Sequence, residues 1–287
     1  MTPNESLDRF HRQLNARHLS NTTHSNYHLW VSRFFEYCRP DDVSELTIDD
    51  AQDFLLNLSE NYDYADRTYN VAVDAIRSFF ELVLHIHGSG KEFLKRKVSV
   101  VQKNPITPDQ ALTLLESCQD PMLKAAIALG FGCGMRIEEI VTLKVVNVHK
   151  GSRFITIENS KGNKTRTVKY SLSAMEILQN YCRIRGITSA SKDSYIFPSE
   201  KKSGDHMSCS VLSYTFRNYL QTISFYLPDQ TFHGLRHAFA TSLANRNVPL
   251  PVIQKLMGHQ SAATTAFYIH TPQEEPDELP DLLVREK

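Results

Sequence analysis

Between residues 233 and 237 the sequence His-Gly-Leu-Arg-His sets two imidazoles and a guanidinium in about one helical turn of an otherwise apolar stretch, HGLRHAFATSLANR. His233 and Arg236 are three apart, so on a helix they share a face and can grip one anion. His237 stands four after His233, which is also metal-ligand spacing. Three other stretches carry polar side chains that a core does not need. Arg136 follows Gly132, Cys133 and Gly134 and precedes Glu139 by three, so the carboxylate can brace the guanidinium, and a glycine-rich approach to a helix start favours an anion. Lys161 sits in a Ser-Lys-Gly-Asn turn, where a long cationic arm can swing onto a ligand. In LMGHQSAATTAFYIH, His259 precedes Tyr268 by nine residues. Singly, each of these fits a bland role: a surface ion pair, a solvated lysine, a core tyrosine. Jointly they make one chemical proposal. Two arginines and two histidines around a phosphate neutralise the charge that builds on its oxygens during attack, a tyrosine oxygen is a possible nucleophile, and a lysine can protonate the departing oxygen. A phenol with a pKa of about 10 needs such a polarised site to react at neutral pH.

The elements that must position these groups are mostly helical. In NTTHSNYHLWVSRFFEYC, Tyr27, Trp30, Val31, Phe34, Phe35 and Cys38 form one helical stripe. Thr47 is an N-cap with Asp49 and Asp50 behind it, and DRTYNVAVDAIRSFFELVLHIHG carries Ala72, Ala75, Ile76, Phe79, Phe80 and Val83 on one face, ending at Gly88. The helical period lapses near residues 97 to 105, which predicts a linker. Thr107, Pro108 and Gln110 then give a capping box that starts a second domain. RFITIENSKGNKTRTVKY, β-branched on both sides of a turn, predicts a hairpin, and helices resume from SLSAMEILQNYCRIRG onward. The expected organisation is a helical domain over 1–100 and a second domain over 105–287, mainly α with a small β-hairpin.

Composition bounds the class. The chain has 287 residues, 41% hydrophobic and 22% charged, as expected of a globular protein. With neither an 18-residue apolar run nor a signal peptide pattern, the expected location is the cytoplasm, away from membranes. Five scattered cysteines without a CxxC pair are expected to be reduced and structural. The net charge of zero hides an uneven distribution: residues 104–271 hold 18 Lys and Arg against 11 Asp and Glu, while residues 1–103 hold 12 against 15 and residues 272–287 hold 2 against 6. The basic surplus therefore lies where the phosphate chemistry is expected, and the tail is acidic.

On these residues the sequence resembles the tyrosine recombinase, or phage integrase, family. GMRIEEI is similar to the family's first arginine box, SKGNKTR to its hairpin lysine motif, HGLRHAFAT to its His-x-x-Arg box, and LMGHQSAATTAFYIH to its closing box with the nucleophilic tyrosine, in the family's order and spacing. The resemblance covers nearly the whole chain and implies a compact two-domain enzyme, Xer-like or belonging to a mobile element, with a helical SAM-like core-binding domain and a catalytic domain clamping duplex DNA. It implies that Tyr268 becomes joined to a 3′ phosphate, that Arg136 and Arg236 hold that phosphate, that His233 and His259 hydrogen-bond to it and that Lys161 is the general acid. Glu139 is implied to orient Arg136, and His237 to pack or cap within its helix. Arg67, Asn70, Arg77 and Lys164 are the candidate DNA contacts. Neither a cofactor nor a metal is required. A homotetramer on paired double-stranded recombination sites is the implied assembly, with accessory DNA-bending proteins as further partners; Leu279, Leu282, Leu283 and Val284 are expected to form a short docking helix. The length is expected to exclude an added arm-binding domain. Two alternatives stay open: a type IB topoisomerase-like enzyme, which uses the same residue types to relax DNA, and a metallohydrolase using His233, His237, His259 and His270.

Overall fold

Capping side chains set where the first helices begin. In the computed structural model, which describes residues 1–17, 19, 21–87, 92–98, 104–160, 164–188, 192–258 and 280–285, helix α1 (Pro3–Ala16) starts at Thr2 in a capping box with Glu5, and α3 (Ile48–Asn61) starts at Thr47 in one with Asp50. Helix α2 (Asn21–Cys38) and α4 (Asp66–Phe79) supply most of the core of a first unit, Met1–Val101. Trp30, Val31, Phe34 and Phe35 from α2 pack with Ala72, Ala75, Ile76 and Phe79 from α4, and the Phe79 ring stands edge-on to both Phe10 and Phe35. Helical structure ends before the expected Gly88. After α4 comes one wide π-helical turn, Phe80–Leu84, closed by His85 in the left-handed region at φ 59°. Phe79, Phe80, Leu82 and Val83 are all buried. The same spacing of buried side chains runs through the ordinary α turn before it, at Ala72, Val73, Ala75 and Ile76, so the wide turn continues the buried face of α4.

The second unit, Gln102–Lys287, opens with α5 (Pro108–Ser117), capped by Thr107 and Gln110. Helix α6 (Pro121–Gly132) follows, apolar but for Lys124 and buried on every side from Ala125 onward, as befits a helix at the centre of a core. It leads through a short turn to α7 (Ile137–Val141). The sheet has three antiparallel strands in the order β1 (Val148–His149), β2 (Phe154–Ser160), β3 (Lys164–Lys169). Its register pairs Ile155 with Val168 and Ile157 with Arg166, so the core face, which buries Ile155, Ile157 and Val168, carries an arginine among its aliphatic side chains. Helices α8 (Leu172–Ile184), α9 (Cys209–Leu220), α10 (His233–Asn245) and α11 (Leu250–Met257) complete the unit.

Residues 280–285 run as a turn rather than as the expected docking helix. Leu282 and Leu283 are nevertheless buried in the core of this unit, and Asp281 accepts from the Ser173 N–H at the start of α8. Arg285 pairs with Glu116 at 3.0 Å. Val284 is exposed, and Leu279 lies outside the described residues. The turn brings both leucines into the core.

Candidate active site

The site grows from the turn between α6 and α7. Gly134 has φ +62°, and a Cβ there would stand 2.5 Å from Phe239 Cδ1, so only glycine lets this turn lie flush on α10. One helical turn before Phe239, Arg236 uses that closeness. Its Nη1 donates to the Gly134 carbonyl and its Nη2 to the Met257 carbonyl at the end of α11. The side chain is among the most deeply buried in the protein, at 1% exposure, and its Nε has no acceptor among the described residues. Burial, followed by the charges of Arg136 and Arg166, pushes the guanidinium down to about 10, still charged at neutral pH.

Arg136 is the N-cap of α7 and Glu139 its third residue. The Glu139 carboxylate accepts from the Arg136 backbone N–H at 2.8 Å and from Arg136 Nη1 at 3.0 Å. The helix start that the glycines prepare therefore holds the chain's own carboxylate. Arg166 approaches the same carboxylate side-on, Nη2 to Oε2 at 2.7 Å and Nε to Oε1 at 3.2 Å, while its Nη1 donates to the Leu256 carbonyl at 2.9 Å. Two guanidinium groups thus hold one carboxylate, and with Arg236 close enough to feel their charges a surplus of positive charge collects where α6, α7, β3, α10 and α11 meet. For Glu139, burial pushes the carboxyl up, but the Arg166 hydrogen bonds and charge and those of Arg136 outweigh it, and the net shift is downward.

A pH dependence follows, with its sign. Because folding lowers the Glu139 pKa below its ordinary 4.5, the carboxylate's contribution is complete above that value and is lost as pH falls through the lower folded value. Glu139→Gln is expected to cost about 1.5–3 kcal/mol at pH 7, the range for a hydrogen bond to a charged group, and to weaken the acid-side loss of stability. Hydrogen exchange of the α7 amides, followed between pH 7 and pH 3, reads both effects.

His233 opens α10 at the surface, while Arg236 turns inward, so the two do not present one exposed face as the spacing alone suggests. Desolvation, then the cations of His237, Arg236 and Arg136, hold the His233 imidazole below the usual histidine range against the pull of Glu138. His237 neither packs inward nor caps a helix: it is exposed, with its ring edge-on to His233 at 4.8 Å, and α10 has no side-chain cap. Lys161, His259, Tyr268 and His270 lie outside the described residues. Among the candidate DNA contacts, Asn70 is committed elsewhere, since its amide donates to the Arg96 carbonyl and accepts the Arg96 N–H. Arg77 is exposed and paired with Glu81 at 2.8 Å, Arg67 is exposed, and Lys164 stands at the start of β3. Sequence reasoning missed Arg166, although the alternation Thr165-Arg166-Thr167-Val168 sets it on the face of Val168. Cys133, fully buried and pushed up to about 12 by burial, is an inert core thiol.

Two neighbouring arginines, one fully buried and one braced by a carboxylate, with an imidazole held below its usual range beside them, are suited to stabilising charge on a phosphoryl group. The comparisons name the family. Residues 104–275 match the Phage integrase family and residues 7–87 match its N-terminal SAM-like domain. Tyrosine recombinase XerA of Pyrococcus horikoshii is 26% identical over 91% of this chain and 87% of its own; XerC of Erythrobacter litoralis is 37% identical over 52% of this chain and 46% of its own. In fold, the chain is similar to the Tn1549 transposon integrase in complex with transposon right end DNA (TM-score 0.68, 19% identity, 95% of this chain and 96% of that one). It is also similar to lambda integrase in a tetramer bound to a Holliday junction (TM-score 0.66, 19% identity, 91% and 78%). The chain belongs to the phage integrase family and is a tyrosine recombinase, an enzyme of site-specific DNA cleavage and rejoining. Among the described residues no helix is long and apolar enough to cross a membrane.

Proposed function

We propose that Tyr268 is the nucleophile of this recombinase and that Arg136 and Arg236 hold the scissile phosphate. The Tyr268 Oη–phosphorus bond forms as the bond from phosphorus to the 5′ oxygen breaks; the phenolic proton passes to His233, and Lys161 protonates the departing 5′ oxygen. His259 hydrogen-bonds to the phosphate. The resulting 3′-phosphotyrosyl ester keeps the energy of the broken phosphodiester, so a 5′ hydroxyl of another strand reseals it by the reverse step. What carries this assignment is the meeting of Arg136 and Arg236, a hundred residues apart in sequence, at the Gly134 turn: Arg236 donates to the Gly134 carbonyl and feels the charge of Arg136, which the buried Glu139 braces. The depressed His233 pKa supports it further, because a neutral imidazole is free to take the proton.

The helical unit serves as the core-binding half of the DNA grip, and the working assembly is a tetramer on two paired sites in the cytoplasm, serving a mobile element or the resolution of replicons, with DNA-bending proteins as accessories. Similarity to the transposon integrase and to the tetrameric lambda enzyme supports this part.

The test is a nicked suicide duplex built from DNA flanking the gene. The wild-type protein is expected to form a detergent-resistant adduct, insensitive to chelator, whose nucleotide maps to the peptide containing Tyr268. An adduct mapping elsewhere removes Tyr268 as nucleophile. Exchange of strands between two partner duplexes separates a recombinase from an enzyme that only relaxes DNA.

A further inference from the structure

Arg166 lies outside the residues given a part in the chemistry, yet it makes a connection that no other described side chain makes. From β3, on the core face of the sheet opposite Ile157, it holds both oxygens of Glu139 on α7 and the Leu256 carbonyl on α11. Its stem also lies against Gly258, where a Cβ would come within 2.8 Å of Arg166 Cδ and φ is +62°. Three stretches that carry chemistry are thereby tied at one guanidinium: the hairpin whose turn contains Lys161, the helix that starts at Arg136, and the helix end that leads into His259. The side chain is 12% exposed and its carboxylate partner 7%, so the pairing is shielded from solvent and geometrically fixed.

The geometry points to Arg166 as a positioning residue for strand cleavage. It fixes the Glu139 carboxylate, which in turn fixes the Arg136 guanidinium, and it anchors the end of α11 one residue before the carbonyl that Arg236 uses. Two arginines thus hold consecutive carbonyls, Leu256 and Met257, at the negative end of that helix. The side-on fork is a property of arginine. A lysine supplies the charge but cannot serve both carboxylate oxygens and a carbonyl from three fixed nitrogens. This role rests on the assignment of Arg136 to the scissile phosphate.

Arg166→Ala and Arg166→Lys in the full chain test it by single-turnover cleavage of the nicked suicide duplex alongside a gel-shift affinity measurement. Both variants are expected to bind DNA within about threefold of wild type and to cleave about 10- to 100-fold more slowly, the scale of a misplacement near 1 Å. Should the alanine variant not fold, the lysine variant carries the test. In a Glu139→Gln background, the further loss from Arg166→Ala should be smaller than in the wild-type background, because part of its effect passes through Glu139 to Arg136. Affinity falling in step with rate, fully multiplying penalties, or a near wild-type rate for Arg166→Lys would each overturn the proposal. An adduct mapping away from Tyr268 would instead fail the nucleophile assignment, and the rate comparison would still report on Arg166.

Discussion

Tyr268→Phe is expected to eliminate the covalent protein–DNA adduct and to reduce strand cleavage by about 10⁴-fold or more, the scale seen when a nucleophile is removed from a preorganised site, with DNA affinity within about threefold of wild type. The substitution deletes one oxygen and keeps the ring, so the result reads the chemistry. On the proposed assignment Arg136 and Arg236 still neutralise the phosphate's charge, held as they are by Glu139 and by the Gly134 and Met257 carbonyls. What disappears is the atom that forms the new bond to phosphorus. Water can enter in its place, so a trace of nicking is compatible with the mechanism; it would leave a free phosphate end and no attached protein. Suicide-duplex trapping at equal DNA occupancy, followed by denaturing electrophoresis, gives the answer directly. An adduct that persists in the phenylalanine variant reassigns the nucleophile.

How much of this was legible in the sequence depends on whether each feature is local. Thr47 and Thr107 were readable as caps because a capping box is complete within four residues. Arg136 and Glu139 were readable as a pair for the same reason, lying three apart on one short helix. The hairpin followed from alternation around a polar turn. The direction of Arg236 was not readable. Helix α10 has apolar side chains around much of its circumference, so its period does not say which polar residue turns inward, and that is decided by the close seat of Gly134 on Phe239. Arg166 was half legible. Strand alternation sets it on the core face with Val168, but its partners Glu139 and Leu256 stand 27 and 90 residues away, beyond any local rule. Asn70 misled because an exposed-looking amide on a helix resembles a groove contact, whereas it is spent on the backbone of Arg96. The tail was legible in composition and not in conformation, since Leu282 and Leu283 bury from a turn.

Arg236→Ala is expected to damage stability and catalysis together, in proportions that reveal how the site is built. At 1% exposure, the guanidinium serves the Gly134 and Met257 carbonyls. Deleting it leaves two acceptors without their donors, at about 1–3 kcal/mol each where water cannot replace it. Against this, the change removes a desolvated cation that Arg136 and Arg166 repel, which offsets part of the loss. A net destabilisation of about 2–4 kcal/mol follows, measurable as an increase in hydrogen exchange at the α6–α7 turn and the end of α11. Cleavage should fall by about 10²- to 10³-fold, as when one preorganised donor to a developing anion is lost. Arg236→Lys separates the two contributions. A single ammonium can neutralise charge but cannot span both carbonyls, so lysine should recover part of the stability and little of the rate. A lysine variant cleaving within about tenfold of wild type would mean that charge alone suffices at this position. An alanine variant that is destabilised yet cleaves normally would reduce Arg236 to a structural tie between the Gly134 turn and α11, leaving Arg136 as the only arginine of the pair to face the phosphate.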